Sequence, residues 1–275
     1  MGFMTFFFLP AAAGRVPLPA YATAFVFGAV VGSFINVCIY RIPRGISLAS
    51  PRSTCTACGA SLGPAELVPL VSYFALRGRC AKCRARISPR YPIVEFLCGA
   101  LWAALFWRFS FTYEFICYAI FCSVLLAVIF IDADTMRIPN SLVIAATFPA
   151  LAAALRYSFF IGPPERFRSA YNGVNRAAPL LGLAPCAFFI AVYALTSIAS
   201  KGKPAIGMGD IKLLIPAGLA LGLRQSLLAA FVAVTLGGIT GVALLAARVK
   251  KRKDPIPFGP FLVIGAYVAL FVTFV

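Results

Sequence analysis

The sequence predicts an all-α polytopic membrane protein with about eight transmembrane helices. Three observations carry that reading. The 275 residues are 61% hydrophobic, with a mean hydropathy of +0.93, whereas a soluble domain is nearer half apolar. The excess is gathered into runs at about 21–40, 91–109, 114–131, 141–157, 179–198, 211–223, 226–247 and 258–275. Most of these approach the length that crosses a ~30 Å hydrocarbon core, and irregular backbone between them belongs at the two membrane surfaces. The charge lies between the runs. A net charge of +17 in short connecting loops reads as topology signals and contacts to an anionic lipid bilayer, so no nucleic-acid partner is expected.

Taken in order, residues 1–40 form an N-terminal segment and the first span. The leading stretch "FMTFFFLPAAAG" (3–14) ends in small residues but lacks a basic start, and reads as a lead-in rather than a signal peptide. Residues 41–90 form a polar loop domain, and residues 91–275 a membrane-embedded core. With the N-terminus outside, the inside loops are 41–90, 132–140, 199–210 and 248–257. With Lys212 they hold 18 of the 25 Lys and Arg residues, so both termini are expected outside. The outside segment 156–176, with four basic residues, runs against that bias. Three glycine pairs at helix-packing spacing, Gly28/Gly32, Gly218/Gly222 and Gly237/Gly241, are expected where helix backbones approach closely.

The chemistry is bounded by elimination. The chain has no histidine, which removes Ser-His-Asp, Cys-His and His-ligated metal sites. It has eight acids: Glu66, Glu95, Glu114, Asp132, Asp134, Glu165, Asp210 and Asp254. Acid–base chemistry must draw mainly on these, or on Lys, Tyr or Cys. In the 41–90 loop, "CTAC" (55–58) and "CAKC" (80–83) are two C-x-x-C pairs. On the reducing side of a membrane this pattern reads as a tetrahedral zinc site of Cys55, Cys58, Cys80 and Cys83. Four sulfurs leave no position for water, so Zn2+ would be structural, folding a loop too small to build a core. The alternative is disulfides or free thiols.

"IDADTMRIPN" (131–140) ends one apolar run and "GMGD" (207–210) begins another. The topology brings Asp132 and Asp210 to the same membrane face. A charge beside hydrocarbon is expensive and points to function. Two apposed carboxylates sharing a proton can activate water and polarise a peptide carbonyl, which is aspartyl proteolysis without His or metal. The bland reading is that each acid borders its helix, with Asp210 favouring a helix N-terminus. Asp134 lies about 200° around the helix from Asp132 and is expected in solvent. Asn140 reads as an N-cap. Lys212 is expected either to stabilise a carboxylate or to reach the headgroups; no serine is placed to make it half of a Ser–Lys dyad. A proton-coupled transporter and a zinc-bearing scaffold stay open. The two halves of the chain show no repeat of the transporter kind, and a scaffold would need neither aspartate.

Taken together, the motifs resemble a type IV prepilin peptidase, a GxGD-type aspartyl protease of bacterial pilus and type II secretion systems. The resemblance runs over residues 28–265. It rests on "GSFINVCIYRIPRG" (32–45), the cysteine pairs, "ELVPLVSYFALRGRC" (66–80), "ISPRYPIVE" (87–95), "IDADTMRIPN", "GMGDIKLLIPAGLALG" (207–222) and "PFGPFL" (257–262). It implies that Asp132 and Asp210 are catalytic and that the four cysteines bind zinc. It also implies an endopeptidase of the bacterial inner membrane, with its active site at the cytosolic face. Such an enzyme removes basic leaders from prepilins and pseudopilins after a glycine. The cysteine loop further implies N-methylation of the new N-terminus with S-adenosylmethionine, with Glu95 the candidate for methyl transfer. The alternative for Glu95 is a helix-start acid paired with Arg90, and for the whole chain a peptidase without methylation. Two departures stand out: Asn140, where many members carry aspartate, and a long outside segment over 157–178.

Overall fold

The computed structural model describes residues 17–50, 52–156, 158, 178–199, 207–251 and 254–272. The expected lead-in over 3–14 lies outside the described residues, as does all but Ser158 and Ala178 of the 157–178 segment. The described chain is helical: α1 (Leu18–Arg41), α2 (Val71–Ala75), α3 (Arg90–Phe109), α4 (Tyr113–Thr135), α5 (Asn140–Leu155), α6 (Ala178–Leu181), α7 (Ala184–Ala199), α8 (Met208–Ala246) and α9 (Gly259–Phe271). Among the described residues the only β pairing is two isolated bridges in the cysteine loop.

Within the described residues the predicted apolar runs fall on helices, the run 179–198 being divided between α6 and α7. Five segments are long and apolar enough to cross a membrane: Leu18–Arg44, Arg90–Phe109, Tyr113–Thr135, Pro179–Ala199 and Met208–Ala246. Asn140–Leu155 and Gly259–Phe271 are apolar but shorter. The runs at 211–223 and 226–247 meet in the 39 residues of α8. A straight helix of that length would reach about 58 Å, twice the hydrocarbon thickness. Gly222, at φ 73 and ψ 179, interrupts it, a conformation open to glycine and strained for other residues.

The described residues form two compact units, one up to Ala127 and the other from Val128 onward, the division falling within α4. In the first, α1 packs on α3 through the first glycine pair. A Cβ on Gly28 would lie 2.6 Å from Trp102 Cβ, and one on Gly32 would lie 2.8 Å from Glu95 Cα. Asn36 Nδ2 donates to the Tyr91 carbonyl at 3.0 Å, and Trp102 Nε1 donates to Ser123 Oγ at 2.9 Å, so these buried polar groups are satisfied within the apolar helices. In the second unit, α8 packs against α5, α6, α7 and α9. Gly218 lies directly on Gly182, and Gly265 on the Ala229 carbonyl. Gly237 faces Phe258 and Phe261. Gly28/Gly32 and Gly218/Gly222 therefore sit where helix backbones approach closely, as expected, whereas Gly241 meets only Ile256 Cδ1 at 3.8 Å, so the third pair is not at a backbone contact.

Candidate active site and metal centre

Asp132 lies in the last turn of α4 and is 4% exposed, whereas Asp134 is exposed. The chain then leaves the helix through Met136, at φ 51. The Asp132 carboxylate reaches far along the sequence: its Oδ2 accepts the N–H of Gly259 at 3.0 Å. Gly259 is the first residue of α9 and Pro260 the second. An anion is thus seated on a helix N-terminus, where unpaired N–H groups and the helix dipole favour it. A Cβ at this position would stand 2.7 Å from Asp132 Oδ2, so any larger residue requires the carboxylate to shift.

Asp210 lies in the first turn of α8, whose N-cap is Gly207. Its carboxylate accepts the Gly207 N–H, the reach-back half of a capping box. Asp210 lies within electrostatic reach of Asp132. Between the two glycine turns sits Ile138. Its Cβ lies 3.2 Å from where a Gly209 Cβ would be, and its Cδ1 lies 3.2 Å from the corresponding point on Gly259. The segment joining α4 to α5 is therefore wedged between the start of α8 and the start of α9. The structure brings the two acids named from sequence to three helix ends that meet.

Two neighbours differ from expectation. Asn140 is the first residue of α5 rather than its N-cap; that place is taken by Pro139, with no side-chain cap. The Asn140 Oδ1 instead accepts from Lys212 Nζ at 3.1 Å, tying α5 to α8. Sequence reasoning missed Gly259 and Ile138. The signal for Gly259 was present in "PFGPFL", where a glycine precedes a proline at a helix start.

Residues 26–109 match the Bacterial Peptidase A24 N-terminal domain, and residues 119–242 match the Type IV leader peptidase family. A prepilin leader peptidase/N-methyltransferase of Bacillus subtilis is 37% identical over 89% of this chain and 91% of its own length. The chain belongs to the prepilin leader peptidase/N-methyltransferase family. Similarly named proteins of Burkholderia pseudomallei and Pseudomonas aeruginosa are 34% and 31% identical, over 94% and 92% of this chain and 91% of each relative. No solved structure matches the chain.

In this member of the family the cysteine loop has its own geometry. Cys55, Cys58, Cys80 and Cys83 place their sulfurs within 4.8 Å of one another, with Cys55 and Cys83 3.9 Å apart. The two pairs are built alike. Cys55 N–H donates to the Ala60 carbonyl and Cys80 N–H to the Ala85 carbonyl, both at 2.9 Å. Each turn passes through a residue at positive φ, Gly59 at 70 and Arg84 at 61. The Cys58 N–H, followed by that of Ala57, draws the Cys55 thiol down to about 6. The Ala85 N–H likewise favours a Cys83 thiolate, but Cys58 and the other sulfurs outweigh it and hold that thiol up at about 11. Four sulfurs this close cannot all ionise without a cation among them. The cluster is thus a group able to hold a metal ion.

Glu95 is buried in α3, one turn from its start. Its Oε2 accepts the N–H of Leu70 at 2.8 Å, and its carboxylate also bonds the Ser33 side chain of α1. Leu70 is itself at φ 60. The acid named for methyl transfer is therefore engaged between two helices and the loop that carries the cysteines.

Proposed function

We propose that this protein is a membrane aspartyl endopeptidase that removes the basic leader of prepilins and N-methylates the freed N-terminus, acting at the cytosolic face of a bacterial inner membrane. The observation that carries the reading is the meeting of Asp132 and Asp210, two acids 78 residues apart, in a member of this family. Two carboxylates within electrostatic reach cannot both carry charge cheaply, so the pair holds one proton. The ionised member takes a proton from water as the water attacks the scissile carbonyl. The protonated member gives its proton to the carbonyl oxygen, and collapse of the tetrahedral intermediate passes a proton to the leaving amine. The Gly259 and Gly207 N–H groups hold the two carboxylates in place for these transfers. Eight spans with both termini outside remain the topology we propose.

Zinc suits the sulfur cluster. Tetrahedral Zn–S bonds of ~2.3 Å set sulfurs ~3.8 Å apart, close to the 3.9 Å between Cys55 and Cys83. The metal would be held by all four cysteines and would fold the loop. S-adenosylmethionine supplies the methyl group. For Glu95 we propose a positioning part in methyl transfer: it holds the loop to α1 and α3 through Leu70 and Ser33.

The test is a mass-spectrometric assay of purified protein with a prepilin and S-adenosylmethionine, beside Asp132→Asn and Asp210→Asn. A product without its leader and with one added methyl, absent in both variants, is the expected result. Cleavage that survives Asp132→Asn would move the first catalytic acid to Asp134. Uncut substrate with a folded, zinc-loaded protein would favour a transporter or scaffold.

A further inference from the structure

We infer that residues 67–74 of the cysteine loop form a membrane-surface element, with Leu67, Val68, Val71 and Phe74 seated among the lipids of the leaflet on the loop's side. These side chains are 43%, 45%, 64% and 70% exposed. Leu67 ends a one-turn 3-10 helix (Pro64–Leu67), Val68 is extended, and Val71 and Phe74, three residues apart, share a face of α2. The loop thus turns four large apolar side chains outward within eight residues. A protein in water would bury such side chains, and a cluster of exposed ones marks a docking surface.

Three observations identify lipid as the occupant. The first is depth. The bond from Leu70 N–H to Glu95 Oε2, 2.8 Å long, fixes Leu70 beside the first turns of α3, a spanning helix, so Val71 and Phe74 lie near the level where that helix enters the membrane. The second is continuity. Ile93 and Phe96, in those same turns of α3, are 49% and 55% exposed and belong to the lipid-facing surface of a span. The third is charge. Residues 41–90 carry nine Arg and Lys against a single acid, Glu66, and that acid is occupied by the Gly63 N–H at 2.7 Å. An apolar cluster framed by cations suits the boundary between acyl chains and anionic headgroups. It suits a prepilin less, because the leader of the proposed substrate is itself basic; this last point rests on the proposed function.

The test places a photoreactive benzoyl-phenylalanine at Phe74 in the full chain, reconstituted in vesicles of phosphatidylethanolamine and phosphatidylglycerol. Retained leader cleavage shows that the labelled protein is folded, and the same probe at Val71 gives an independent reading. Probes at Phe96 and at exposed Lys82 serve as lipid-facing and water-facing references. Irradiation is expected to give phospholipid adducts at Phe74 at a level like that of Phe96 and roughly tenfold above Lys82, as an interfacial apolar segment requires. Adducts no higher than at Lys82 overturn the inference. So do crosslinks into added prepilin, or into a second copy of the chain, that replace the lipid adducts.

Discussion

The molecule carries two polar centres made in opposite ways. The sulfur centre is local: all four cysteines come from residues 55–83, on two turns with the same hydrogen bonds. The acid centre is assembled from afar. Asp132 ends one helix, Asp210 begins another, and the N–H that holds Asp132 comes from Gly259, 127 residues later. The turns of the local centre bury little, so on the zinc reading proposed above it depends on its metal. A distant centre depends on helix packing, and its tolerance is set by how closely backbones must approach. The two should therefore fail independently.

The largest effect is expected from the acids themselves. Asp132→Asn or Asp210→Asn should lower cleavage by roughly a thousandfold or more, consistent with loss of general acid–base catalysis, while metal content stays unchanged. Cleavage by mass spectrometry and zinc by elemental analysis check both halves. Next comes Gly259→Ala. Its methyl would meet Asp132 Oδ2 at 2.7 Å and so must displace the carboxylate. A shift of about 1 Å costs roughly a hundredfold in rate. Gly209→Ala should cost less, roughly tenfold, because Ile138 stands at 3.2 Å and can yield by a few tenths of an ångström. Equal losses in the two glycine variants would show that turn flexibility matters more than proximity to Asp132.

The converse experiment breaks the other centre. Cys80→Ser, at the most buried of the four ligands, should release the metal and open residues 41–90 to protease. Methylation should be lost with it and cleavage retained within about tenfold, since metal binding and loop folding are one process. Loss of cleavage to the level of Asp210→Asn would show that the centres are coupled. The smallest effect is expected from Lys212→Met. It removes an exposed hydrogen bond to Asn140 and should cost about 0.5–1 kcal/mol in thermal stability, leaving cleavage within about twofold.

The same contrast governs what the sequence discloses. Apolar runs mark helices because period and length are local properties, and even the division of α8 at Gly222 is visible as a polar interruption near Arg224 and Gln225. The sulfur cluster is legible because its spacing is short. The convergence of Asp132 and Asp210 on one membrane face follows from topology, which loop charge encodes. What lies between them does not. Nothing in the spacing ties Asp132 to Gly259, places Ile138 between two glycines, or sends Lys212 to Asn140, since each joins residues whose separation is set only by packing. Asn140 has the chemistry of a cap, yet the preceding Pro139 takes that position with its fixed φ of −63. Glu95 is visible as an acid near a helix start, whereas its partner Leu70 offers only a backbone N–H, which no residue type announces.

The bond between Asp132 and the Gly259 N–H also has a meaning in time. A chain emerging from the ribosome presents its cysteine loop, Asp132 and Asp210 before it presents α9. Until that helix is made and inserted, Asp132 lacks the donor that seats it. On the catalytic assignment proposed above, a nascent protease that shares a membrane with its substrates stays silent until α9 is made, and the insertion of that helix is the event that arms it.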